Sequence, residues 1–315
     1  MLSRKTYLLG NMSACSSFLI LKKFFIMNYK TLLPSLAFIL CFASMGAIAF
    51  QPEGIPLSQL IVFRIDAEGW GGASLEDIRR VLESTGRELL KHIPQNKIIR
   101  IHVVASDTVP QVDFKRAANG EYTVRLSVKG RFWAQFAFQF GHELGHIVSH
   151  YERINDNKIG NENKWFEETV AEVASLFVLA RMAETWKTDP PYMNWKSFAP
   201  VLKDYLGKIF KDTEIPDADK MPQWFSDNRP ALKADPLLRE RNRVVAIHIF
   251  RMLERDPSQW EAFRYLNLGR PDATNSFESF LDNWYFSAPK NNKGIVKEVA
   301  NLLGIKSKLI NDHAK

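Results

Sequence analysis

His142-Glu143-Leu144-Gly145-His146 is the segment of this 315-residue chain whose residue types and spacing point most directly to chemistry. In an α-helix, positions four apart lie about 40° apart in azimuth and about 6 Å apart along the axis. Two imidazoles at that spacing can converge on one tetrahedral metal ion. Glu143 lies one step round the helix, beside the ion rather than on it. From there it can act as a general base on a metal-bound water. The host segment, 132–151, is apolar on nearly every face, with Phe132, Phe136, Phe138, Phe140, Leu144, Ile147 and Val148. Such a helix is buried, and burying a carboxylate with two imidazoles is costly unless they are partnered. A divalent cation offsets that cost. A surface helix with two incidental histidines is the alternative, and the apolar neighbours weigh against it.

A third ligand is needed. His150 continues the four-residue spacing, but it is about 12 Å along the helix from His142, too far for both to hold one ion. No Glu follows His146, so His150 reads as a structural or outer residue. The next helical segment offers Trp165-Phe166-Glu167-Glu168-Thr169-Val170-Ala171-Glu172. Glu168 and Glu172 share a stripe with Leu176 and Leu179, and acids on an inward stripe need cations or donors. Glu168 is therefore expected to bind the metal. Glu172 is expected to accept the second ring N–H of a ligand histidine and fix its tautomer. Glu162 and Glu167 read as a solvated acidic start, favoured at the positive end of a helix. Both cysteines, Cys15 and Cys41, precede residue 50, so the rest of the chain has no thiolate ligand. The expected cofactor is Zn2+, held by His142, His146 and Glu168.

The pattern resembles the gluzincins, the group of thermolysin-type and aminopeptidase N-type metallopeptidases. The likeness rests on the histidine pair followed, 19 residues after His146, by Trp165-Phe166-Glu167-Glu168 and then Glu172. It covers about residues 58–185 and, more loosely, the helical remainder. It implies a Glu ligand near the start of the following helix and support of a histidine from a residue four later. It also implies an upper sheet lobe in which residues 121–128 form an edge strand that pairs with extended substrate. The implied reaction is peptide-bond hydrolysis without a covalent enzyme intermediate. In that group a Tyr or His from a later helix stabilises the oxyanion. Arg243, His248, Tyr192 and Tyr285 are the candidates here, with none singled out. The metzincin pattern is excluded, because Ser149 and Glu152 stand where it needs Gly and His. No Gly-x-Met-Glu-Asn aminopeptidase motif precedes His142. Two other functions fit the same residues: a zinc-bearing binding or scaffold protein without turnover, and a zinc hydrolase acting on a non-peptide amide.

The elements that must position these residues form an α+β fold. Segment 58–65 is strand-like, and Ser74 caps a helix whose stripe is Leu75, Ile78, Leu82 and Leu89. Segment 97–105 is a β-branched strand. Segments 112–116 and 121–128 flank Asn119-Gly120, a hairpin signal. After Gly130 the pattern turns helical: 132–151, then 164–183 with Asn163 as cap. Between 188 and 234 a long packed loop with one short helix near 195–207 is expected. Further helices are read from Asp235-Pro236 to about Glu254, then 258–267, 276–285 and near 294–304. The expectation is one domain over 50–315. Residues 50–151 supply a mixed-sheet lobe with the active-site helix, and 152–315 a helical lobe.

The formal net charge of +7 overstates the folded part. Arg4, Lys5, Lys22, Lys23 and Lys30 belong to residues 1–49, which carry no acid. Of the 42 basic residues these five leave 37 against 35 acids. Near-neutrality gives no basis for nucleic-acid binding; the expected partner is a peptide or protein substrate. The uncharged run 32–49 follows Lys30 and ends in Ala47-Ile48-Ala49, the pattern of a secretory signal peptide over 1–49 with a true start at Met27. Cleavage after Ala49 leaves no membrane span and directs the protein to the periplasm or exterior; a retained anchor is the rival reading.

Overall fold

A computed structural model of the chain describes residues 55–156, 161–269 and 276–307. The expected signal segment, with Met27, Cys15, Cys41 and Ala49, lies outside the described residues. The fold is α+β: a small mixed sheet followed by a helical half.

The sheet begins as a unit of strand, helix and parallel strand. β1 (Ile61–Ile65) and β2 (Ile99–Ala105) pair in parallel, with Phe63 opposite Ile101, and α1 (Leu75–Leu90) crosses between them. The expected cap on α1 is present: Ser74 accepts the Asp77 N–H. Ile78, Leu82 and Leu89 are fully buried, whereas Leu75 is exposed. β3 (Gln111–Val112) and β4 (Tyr122–Leu126) form the antiparallel hairpin around Asn119-Gly120. Gly120 has φ +82°, which a side chain disfavours, so this position suits glycine. Strand order is β1-β2-β4-β3. In β4, Tyr122, Val124 and Leu126 alternate inward toward α2 (Trp133–Val148), while Thr123 and Arg125 face the other way.

Two expectations are corrected here. β4 is an interior strand, between β2 and β3, so 121–128 is not a sheet edge; the edge on that side is the short β3. The first hairpin arm is also shorter and earlier than 112–116. Beyond Val112 the chain turns away, with Asp113 held by Arg125 at 3.0 and 3.1 Å and Arg116 reaching Glu152 at 2.6 Å.

The helical half contains α3 (Lys164–Thr185), α4 (Ala199–Lys211), α5 (Met221–Ala234), α6 (Arg239–Arg255), α7 (Trp260–Phe263), α8 (Phe277–Ser287) and α9 (Lys293–Leu302). α5 replaces part of the expected long loop. Its Pro222 lies in the first turn, where the missing N–H costs nothing, although Pro230 lies inside the helix. From Pro52 onward the chain forms one compact unit. Among the described residues no helix is long and apolar enough to cross a membrane.

α2 and α3 pack against each other as the centre of this unit. Their approach is closest at two glycines. A Cβ on Gly145 would lie 2.9 Å from the Ala171 Cα, and one on Gly141 would lie 2.6 Å from a Val178 methyl. The facing stripe of α3 is Glu167, Ala171, Ala174 and Val178, spaced as one helix face. The C-terminal turns of α2 thereby meet the first turns of α3. Trp165 anchors that end of α3, its ring tilted against Phe225 of α5 at 5.4 Å and Phe277 of α8 at 4.9 Å.

Candidate metal centre

The histidine pair is on α2 as its spacing requires, with ring centroids 4.9 Å apart. Glu168, on the facing turn of α3, points its Oε2 at both rings, 3.4 Å from His142 Nε2 and 3.7 Å from His146 Nε2. One ligand atom from each of the three lies within 4.8 Å of the others. Ligands about 2.0–2.1 Å from a tetrahedral zinc stand roughly 3.3–3.4 Å apart along the tetrahedron's edges. The 3.4 Å distance matches that spacing and the 3.7 Å one is slightly wider, so the donor set is of a size that could hold a divalent ion.

The supporting residues differ from expectation. Glu167, read from sequence as solvated, is buried at 3% exposure. It accepts from His146 Nδ1 at 2.6 Å and from the Ser149 hydroxyl at 2.7 Å. Asn267 Nδ2 in turn donates to the Ser149 carbonyl at 2.9 Å. This chain fixes the His146 tautomer and leaves Nε2 facing Glu168. The histidine-supporting role expected of Glu172 is thus filled by Glu167, on the other ring. Glu172 accepts from Arg243 Nε at 2.7 Å, and its second oxygen lies 3.8 Å from His142 Nδ1, longer than a hydrogen bond. Both that oxygen and His142 Nδ1 are buried without another partner.

Glu143 is 2% exposed. Burial raises its carboxyl pKa, against the pull of His142, His146 and a backbone hydrogen bond from Val112. A base with a raised pKa is better matched to proton transfer near neutrality. Burial would lower the His146 pKa, but Glu167 and Glu168 outweigh it and raise it to about 10. Burial likewise favours the neutral form of Glu168, yet His146 and His142 hold that carboxyl at about 2.

A cleft of about 680 Å³ opens over the triad. One wall is the segment 109–115, which includes the sheet edge. Because Asp113 N–H donates to Thr123, the neighbouring Val112 N–H and C=O point away from β4, toward the cleft. Tyr151, Arg239 and Asn242 also line it, and none of them was singled out from sequence. The Tyr151 ring lies 5.9 Å from that of His146 and its hydroxyl donates to the Asp113 carbonyl, tying the edge to the end of α2. Asn242 is 3% exposed, and its Oδ1 has no partner. Of the oxyanion candidates, Arg243 is held by Glu172 and His248 Nε2 lies 3.0 Å from the Pro216 carbonyl. Tyr192 stacks edge-on against Trp195 and Tyr285 packs under Lys293. None of the four is among the described residues that line the cleft. His150 does not extend the histidine stripe, because α2 ends at Val148 and His150 turns the chain with φ +58°.

A scan against protein-family models, a search of curated proteins and a search of solved structures each return no match, so the reading rests on the chain's own geometry.

Proposed function

We propose that this protein is a zinc-dependent peptidase whose metal is held by His142, His146 and Glu168. The observation that carries the proposal is the convergence of these three side chains, their ligand atoms within 4.8 Å of one another, with the buried Glu143 carboxylate alongside. Two imidazoles with one carboxylate suit zinc among the common divalent ions. Bound there, the ion would supply Lewis acidity, polarising a substrate carbonyl and lowering the pKa of water.

The chain's own residues do the rest. Glu143 accepts a proton from the attacking water and returns it to the leaving amine, and its raised pKa suits both halves of that exchange. Val112 offers its C=O at the sheet edge to an extended peptide, while its N–H donates to the Glu143 carboxylate. Glu167 and Ser149 keep His146 in one tautomer throughout.

The test is a Glu143→Gln substitution. The expected outcome is protein that retains its metal, measured by elemental analysis, and loses hydrolysis of a peptide library. Turnover equal to that of the parent would remove Glu143 from the mechanism. A metal-loaded parent that cleaves no peptide but releases amine from non-peptide amides would redirect the proposal to that substrate class. One that cleaves neither would leave a binding protein.

A further inference from the structure

The cleft above the triad is lined by an unusual mixture. Val109, Phe114 and Leu237 are large apolar side chains that the fold leaves 69%, 44% and 65% exposed, and all three face this one cleft. They alternate with three cations, Lys115, Lys164 and Arg239. Among the described residues, none of the three forms an ion pair with a carboxylate.

The acids nearby are already engaged. Asp113 is doubly bonded to Arg125, Glu172 holds Arg243 and Glu167 holds His146. Glu168 faces the two imidazoles. Lys164 is the most constrained of the cations. Its Nζ lies 5.1 Å from the centre of the Phe114 ring, so the side chain bridges from the start of α3 to the hairpin wall. Lys115, Lys164 and Arg239 would each present positive charge to a ligand in the cleft, beside any divalent ion held on its floor.

Resting on the peptidase reading, we propose that the preferred substrate is a peptide carrying acidic and large apolar side chains together. The acidic groups meet Lys115, Lys164 and Arg239, and the apolar ones cover Val109, Phe114 and Leu237. An extended peptide on the β3 edge turns alternate side chains to opposite sides, which suits walls of mixed character.

The experiment measures binding on metal-loaded Glu143→Gln protein, so that turnover is not required. Fluorescence anisotropy is read with three labelled peptides of identical apolar sequence carrying Glu, Gln or Lys at the variable positions. The Glu peptide is expected to bind at least ~10-fold more tightly than the Lys peptide at low salt, with the ratio shrinking at high salt. Lys164→Gln should narrow the ratio several-fold and Lys164→Arg should restore it, since Lys164 is partly exposed and the second substitution keeps the charge. Equal binding of the three peptides, a preference for Lys, no binding of any, or a ratio unmoved by the triple Lys115→Gln, Lys164→Gln, Arg239→Gln variant would each overturn the proposal. The two readings fail separately. A parent enzyme that cleaves acidic and basic peptides equally fast defeats the selectivity alone. Selective binding without cleavage by the parent defeats the peptidase reading alone.

Discussion

At the scale of single residues, the site depends on which of three neighbouring glutamates does what. Glu168 is aimed at both imidazoles and Glu167 at the back of one. Glu168→Gln is therefore expected to abolish tight metal binding. Glu167→Gln should weaken it by about 10–100-fold, the usual effect of losing a residue that orients a ligand histidine. Competition with a calibrated chelator measures both, and an equal loss for the two would contradict the assignment. Protonation gives a second prediction. The folded pKa of His146 is raised to about 10, above the ordinary value of 6.5. Its contribution to stability is full below about pH 6.5 and is lost as pH rises through 10. Metal-free protein should thus melt at progressively lower temperature between pH 6.5 and 10. Metal binding must expel the His146 proton, so metal affinity should rise over the same window. Calorimetry with and without chelator checks both limbs; a flat metal-free profile would contradict the first. The facing of Glu168 toward the pair His142 and His146 was legible in the sequence because helical spacing is a local property. Glu167 was not. Its burial comes from Ser149 and His146, which reach it across a helix interface that local spacing does not reveal.

At the scale of elements, metal geometry follows from how closely α2 and α3 approach. Gly145 is central, since a methyl there would press on Ala171 backbone. Gly145→Ala is expected to cost about 1–3 kcal/mol through overpacking and to weaken metal binding by spreading the ligands. Gly207, in the exposed stretch of α4, has nothing within 4 Å of an added Cβ. Gly207→Ala should stabilise by about 0.5–1 kcal/mol through helix propensity. Thermal denaturation distinguishes the two; the same sign for both would refute the close-approach account. The small-residue stripe that continues from Glu167 through Ala171 and Ala174 was present in the sequence and, paired with Gly141 and Gly145, marks this contact. The α1 cap, the strands and the Asn119-Gly120 turn were also readable from local chemistry. The order of strands was not, because periodicity is the same for an interior and an edge strand. α5 was obscured by Pro222 and Pro230, whose effect depends on position within the helix.

At the scale of the whole molecule, the triad joins the sheet half to the helical half. α2 packs on the sheet through β3 and β4 and on α3 through its glycine face. α3 in turn is anchored by Trp165 to α5 and α8. An ion bound by ligands from both helices is bound by the folded state and not by the unfolded chain. Metal at about 100 times its Kd should therefore add roughly 2.7 kcal/mol of stability. The α+β class was legible from the succession of patterns along the chain. The gluzincin likeness contributed the expectation of a glutamate ligand and of an edge strand over 121–128; that segment proves to be interior, with β3 outside it.

The most direct test of the central claim is X-ray absorption at the zinc edge on zinc-loaded protein, compared with the Glu168→Gln variant. The account predicts one zinc per chain with two imidazoles and one carboxylate among its ligands, and little or no zinc retained by the variant. A site holding a single imidazole, or a spectrum unchanged by Glu168→Gln, would contradict it.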